Sequence, residues 1–159
     1  MVLEHQTHMH NFLTRLNFEA TLRLAQYGEV KYLDSPIEAF LKYLLFTEEA
    51  PLTAPVKGSS NYAITFPTQG PRDKKGRSLR DLDLKTRLFK YPCSYLIYSA
   101  AFDSLPAPLK TIIYQRLWDI LTGINTSPDY QKLTPESKRA ILEILAETKP
   151  GLPAYWKAG

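Results

Sequence analysis

Val2-Leu3-Glu4-His5-Gln6-Thr7-His8-Met9-His10-Asn11-Phe12-Leu13-Thr14-Arg15-Leu16-Asn17-Phe18-Glu19-Ala20-Thr21-Leu22-Arg23-Leu24-Ala25-Gln26-Tyr27, closed by Gly28, is the stretch that decides the fold. Leu3, Met9, Phe12, Leu13, Leu16, Ala20, Leu24 and Tyr27 recur at steps of three and four, which predicts one long amphipathic helix with an apolar stripe. Gly28 suits its end, because glycine accepts the left-handed conformation that closes a helix. No alternation elsewhere is long enough to predict a sheet. The fold class is therefore all-α.

The rest of the chain repeats that pattern in shorter pieces. Ser35-Pro36-Ile37-Glu38 reads as a capping box with proline in the first turn, and predicts a second helix running to about Glu49 with Ile37, Phe40, Leu41, Leu44 and Leu45 inward. Ser94 to about Phe102 predicts a short apolar helix. Pro106 and Pro108 open the next, which carries Leu109, Ile112, Ile113, Leu117, Ile120 and Leu121 and stops at Gly123. Thr134-Pro135 starts a last helix with Ala140, Ile141, Ile144 and Leu145 buried, and Pro150-Gly151 ends it. Between them, residues 51–90 are punctuated by Pro51, Pro55, Gly58, Pro67, Gly70, Pro71 and Gly76, so an irregular segment is expected, with at most a turn or two of helix near 61–66 and 79–88. The expected architecture is an irregular bundle of about five helices in one domain, 1–159, with a long Pro/Gly-rich central loop. The abrupt opening inside an amphipathic pattern suggests the C-terminal part of a longer protein.

Composition narrows the function classes. With 44% hydrophobic and 23% charged residues the chain is an ordinary globular sequence. No apolar run approaches the ~20 residues that cross a bilayer. Cys93 is the one cysteine, so an intrachain disulfide and a cysteine-based zinc knuckle are both ruled out. Neither GxxxxGK[ST] nor GxSxG occurs. Between Gly70 and Arg87 seven basic residues stand against three acidic ones, an excess equal to the formal charge of +4 of the whole chain. Interspersed aspartates set this segment apart from a nucleic-acid arm and suggest a solvated loop with internal ion pairs, or a partner-binding surface.

Two features could carry chemistry. All three histidines, His5, His8 and His10, fall within six residues, and His5 and His8 share a helix face, as do Glu4 and His8. Imidazole is a common metal and axial haem ligand, and Met9 adds a thioether. HxxH with one outlying carboxylate is not the HExxH of zinc proteases, and a tetrahedral zinc site needs a further protein ligand. The alternatives are a polar helix face, a metal or haem role for His5 and His8, and proton transfer. Cys93 stands just before a predicted helix, whose dipole would lower its thiol pKa; the competing reading is a buried structural cysteine. Tyr95, Tyr98, Tyr114 and Trp118 read as core, and Tyr155 and Trp156 as a docked tail.

Val2-Leu3-Glu4-His5-Gln6-Thr7-His8-Met9-His10-Asn11, Gly76-Arg77-Ser78-Leu79-Arg80-Asp81 and Arg87-Leu88-Phe89-Lys90-Tyr91-Pro92-Cys93-Ser94-Tyr95 together resemble the C-terminal region of a group of bacterial proteins described as cytochrome c-like. That resemblance spans essentially the whole chain. It implies a non-catalytic helical domain of a haem-associated electron-transfer protein, exported to the periplasm or cell envelope, whose longer N-terminal part carries the haem-attachment sequence. It further implies that His5, His8 or His10 is an axial ligand to a haem held by another segment, with Arg77, Arg80 and Arg87 pairing with the propionates. These residues contain no CxxCH, so they attach no haem covalently themselves. The competing expectation is a cofactor-free interaction module that uses the basic 70–87 segment to hold the rest of a parent protein or another protein.

Overall fold

Residues 1–157 are described in a computed structural model. The element order is α1 (Val2–Tyr27), α2 (Asp34–Leu44), α3 (Tyr62–Thr65), α4 (Ala100–Asp103), α5 (Ala107–Thr122) and α6 (Pro135–Thr148), with 3-10 turns at Phe66–Gln69, Tyr95–Tyr98 and Pro128–Tyr130. No strand occurs among the described residues, and the extended pairing there is a single antiparallel bridge between Leu82 and Phe89. The fold is all-α. No helix among the described residues is long and apolar enough to cross a membrane.

α1 forms where the periodicity places it and rises about 39 Å over its 26 residues at 1.5 Å per residue. Gly28 closes it at φ 71°, with its N–H donated to the Leu24 carbonyl at 2.9 Å. The buried stripe differs from the expected one at both ends. Val2, His5, Met9, Leu13, Leu16 and Ala20 face the core, whereas Leu3 is 75% exposed and Tyr27 is 50% exposed. Stepping back from Met9 by four and then three lands on His5 and Val2, so an imidazole occupies a core position of the stripe.

α2 begins at Asp34, and Ser35 makes no capping bond. Asp34 pairs instead with Arg116 of α5, and α2 packs against both α1 and α5. Its core face is as expected: Ile37, Phe40, Leu41, Leu44 and Leu45 are all buried. The helix stops at Leu44 rather than Glu49. There the Thr47 N–H donates to the Lys42 carbonyl at 3.1 Å and the Phe46 N–H to the Tyr43 carbonyl at 3.3 Å, the paired bonds of a Schellman closure. The residue in the left-handed position, at φ 53°, is Phe46. Glycine is the usual occupant, and a β-carbon there costs on the order of 1 kcal/mol or more. Aromatic packing of the Phe46 ring offsets that strain.

The segment expected to be irregular is ordered by polar ties. The Asp73 carboxylate accepts from the Lys75 and Arg77 backbone N–H groups at 3.0 and 2.8 Å, and Arg77 bridges it to Glu143 of α6. Residues 79–88 form no helix: Leu84 at φ 59° turns the chain, with Asp83 N–H bonded to the Leu88 carbonyl and Leu84 N–H to the Arg87 carbonyl. Gly70 stands at a close approach: a β-carbon would lie 2.8 Å from Arg80 Cδ and 3.1 Å from Ser78 Oγ, so those side chains would have to shift to admit one. The expected helix at 94–102 is two short turns broken at Ser99, whose hydroxyl accepts from the Phe102 N–H. α5 and α6 form where expected and pack along each other, with Ile141, Ile144 and Leu145 of α6 buried and Ala140 only half-buried, and Thr134 caps α6 by accepting from the Ser137 N–H at 3.1 Å. The tail docks through Trp156, buried against Tyr114 and Trp118, while Tyr155 remains 40% exposed.

Candidate functional site

The N-terminal turn of α1, the Schellman turn after α2 and the segment around Phe89 and Ser94 converge on one buried imidazole. His5 is 5% exposed and its Nε2 is hydrogen-bonded to Ser94 Oγ at 2.7 Å. Ser94 is itself held by its N–H to the Leu44 carbonyl at 2.8 Å, and its hydroxyl also accepts from the Leu96 N–H. Aromatic rings enclose the imidazole: Tyr43 stacks at 5.2 Å, Phe46 lies at 4.7 Å, and Phe89 and Tyr95 stand at 5.9 and 6.4 Å. Burial, with a smaller contribution from the charge on His8, lowers the His5 pKa to about 4. His5 is therefore neutral at pH 7. It is a core residue before it is anything else.

Above it opens a cleft of about 400 Å³, a size suited to a small ligand or to part of a larger one. His5, Tyr43, Phe46 and Leu88 supply its apolar wall, and Glu4, His8, Lys42, Glu48 and Glu49 its polar rim. Lys42 is engaged with Asp129 at 2.9 Å, which raises its pKa. Burial raises the Glu49 pKa, opposed by the nearby Arg87 charge. Tyr43 is also shifted upward, by burial and then by Glu4 and Glu49. The cleft thus combines an aromatic wall, an exposed imidazole on His8 and three carboxylates.

The candidate residues separate into distinct places. His5 and His8 line the same cleft; His10 is exposed and lies outside it. No group of three or more His, Cys, Asp or Glu side chains placed to hold a metal ion occurs among the described residues. With Nε2 of His5 committed to Ser94, the His5–His8 pair offers His8 as its accessible donor. None of the three arginines lines the histidine cleft. Arg77 is locked between Asp73 and Glu143, and the Glu143 carboxyl is held at about 2, chiefly by hydrogen bonds from Lys75 and Arg77. Arg80 lies between two rings, 4.8 Å from Phe66 and 4.5 Å from Tyr95. Arg87 lines a second hollow, which shares Phe46 and Glu49 with the histidine cleft.

Of the seven basic residues of this segment, Arg72, Lys75 and Arg77 are ion-paired, with Asp81, with Glu143, and with Asp73 and Glu143, and Arg80 is spent on rings, whereas Lys74, Lys85 and Arg87 have no ion pair among the described residues. Cys93 also departs from the activated-thiol reading. It is fully buried, and burial pushes its thiol up to about 12. The helical element after it is a four-residue 3-10 turn, too short to supply a useful dipole. Sequence reasoning missed Tyr43, Phe46, Glu48 and Glu49 as site residues, because they lie beyond or at the end of α2 and face the cleft only once the chain has turned at Phe46.

No family model, curated protein or solved structure matches this chain.

Proposed function

We propose that this chain is a non-catalytic helical domain of a haem-associated, cytochrome c-like electron-transfer protein, and that the His8 cleft completes a haem site carried by another segment. The observation that carries the reading is His8: an exposed imidazole with no hydrogen bond or ion pair among the described residues, at the mouth of an aromatic-walled cleft. An imidazole so placed has the donor chemistry of an axial iron ligand. The apolar wall suits the edge of a macrocycle. The rim carboxylates Glu4, Glu48 and Glu49 repel propionates, so this cleft suits the apolar side of a porphyrin and not its acidic side. Haem would supply one-electron redox chemistry; this chain's part is to ligate, to exclude water with Tyr43, Phe46 and Leu88, and to hold the docked segment. The implied setting is the periplasm or cell envelope, as for the proteins it resembles.

The test uses a soluble haem-bearing CxxCH peptide with one open axial position, added to the purified chain. Binding shifts the Soret band to a six-coordinate spectrum, His8→Ala abolishes the shift, and His10→Ala leaves it intact. A spectrum unchanged by the protein, or a shift that survives His8→Ala, overturns the reading. A second reading, a cofactor-free module, draws support from the acidic rim, whose three carboxylates would attract a basic partner segment.

A further inference from the structure

A second hollow, of about 360 Å³, shares Phe46 and Glu49 with the histidine cleft, and neither His5 nor His8 lines it. Two cations reach it from distant parts of the chain: Arg87 from the central segment and Lys132 from the turn before α6. Phe46, Pro92 and Leu133 form apolar wall, and Glu49 is the one carboxylate in the lining. The two hydroxyls present, on Thr47 and Thr86, already donate to the Lys42 carbonyl and to Asp83.

Arg87 differs from every other arginine of the chain. Arg15, Arg72, Arg77, Arg116 and Arg139 are all ion-paired; Arg80 stacks on two rings, and Arg23 lies over Tyr32 and bonds Gln26. Arg87 has no side-chain hydrogen bond, ion pair or ring contact among the described residues, although it is only partly exposed. Lys132 likewise has no ion pair among them. Arg87 is also not on a loose loop. The Leu84 N–H binds its carbonyl at 2.9 Å, and Asp83 clamps the turn by accepting from both the N–H and the hydroxyl of Thr86. Leu52 N–H bonds the Thr86 carbonyl at 2.9 Å, which ties the turn to the neighbouring segment. A planar guanidinium with its donors unspent, carried on a hydrogen-bonded turn at the edge of an apolar-walled hollow with a second cation, suits an oxyanion bound in bidentate fashion.

The geometry points to the Arg87–Lys132 hollow as a binding site for a monocarboxylate ligand with a compact apolar body. The charge arithmetic selects a monoanion: two cations less the Glu49 carboxylate leave one positive charge, and Glu49 stands against a dianion such as phosphate. The apolar wall selects a ligand with hydrocarbon to bury. This inference does not rest on the haem reading, because its cations, Arg87 and Lys132, lie outside the histidine cleft and none of the histidines takes part, although Phe46 and Glu49 border both hollows.

Benzoate serves as the probe, followed by the backbone amides and the Arg87 Nε–H signal in NMR titrations of the haem-free chain at low salt. Saturable binding is expected. Arg87→Gln weakens it by about tenfold to a hundredfold, as loss of a charge-assisted hydrogen bond does. Lys132→Gln weakens it less, and Glu49→Gln tightens it, a change of sign that no general loss of structure produces. His8→Ala leaves it unaltered. Phosphate competes poorly. Shifts that fail to saturate, equal affinity in Arg87→Gln, or displacement by phosphate at concentrations equal to those of benzoate would each overturn the assignment.

Discussion

His5 gives the sharpest quantitative prediction. Its folded-state pKa is lowered from 6.5 to about 4, so between those values the unfolded chain binds a proton that the native state excludes. The stability tied to neutral His5 is fully present above pH 6.5 and is lost as pH falls toward 4. Over that 2.5-unit window, about 1.4 kcal/mol per unit gives an upper bound of about 3.5 kcal/mol. Water in the adjoining cleft screens part of this, leaving about 2–3 kcal/mol. Two other groups titrate nearby. Glu49 has a raised folded pKa and acts with the opposite sign, favouring the native state as it protonates. Asp73 and Glu143 are lowered, so their contribution is lost below the ordinary carboxylate range, down to about 2 for Glu143. Urea unfolding from pH 7.5 to 4.5, followed by tryptophan fluorescence, should show wild type losing about 2 kcal/mol more than His5→Phe across the window, with Glu49 and the carboxylates cancelling in the difference. An NMR titration of the native chain should find the His5 ring signal still neutral at pH 5. A native His5 that titrates near 6.5, or His5→Phe and wild-type curves that run parallel, would refute the reasoning.

Two further outcomes test other parts of the molecule. Arg77→Met leaves the Asp73 side chain, which has no solvent exposure, without its counter-charge and should lower stability by about 2–4 kcal/mol, read from the urea midpoint; a loss under about 0.5 kcal/mol would show the clamp to α6 to be incidental. Cys93 should resist thiol reagents at pH 7 until the protein unfolds, and Cys93→Ser should cost about 1–3 kcal/mol by placing a hydroxyl in an apolar site; rapid labelling of the native chain would contradict its burial.

The helices whose limits were legible in the sequence are those closed by local chemistry. α1 ends at Gly28 and α5 at Gly123, both in the left-handed conformation, and α6 begins under a Thr134 cap, because these signals act within a few residues and need no partner. The inward faces of α2, α5 and α6 were legible for the same reason, since a helix fixes which residues share a side. α2 shows where this stops. Its expected cap at Ser35 is unused, and it closes at Phe46, a residue that strain argues against and that only the ring contacts with His5 and Phe89 make acceptable. The site divides along the same line. The cluster of His5, His8 and His10 stands plainly in the sequence, but the stripe read there ran through Leu3, and it is the structure that puts His5 in the core and Leu3 outside it. What no local pattern contains is the fate of each polar group. Arg77, Arg80 and Arg87 look alike in sequence, yet one is spent on carboxylates, one on aromatic rings and one on nothing among the described residues. Periodicity and capping depend on neighbours along the chain, and the sequence determined them. Burial, ion pairing and the resulting shift of the His5 and Cys93 protons depend on segments tens of residues away, and only the tertiary structure decided those.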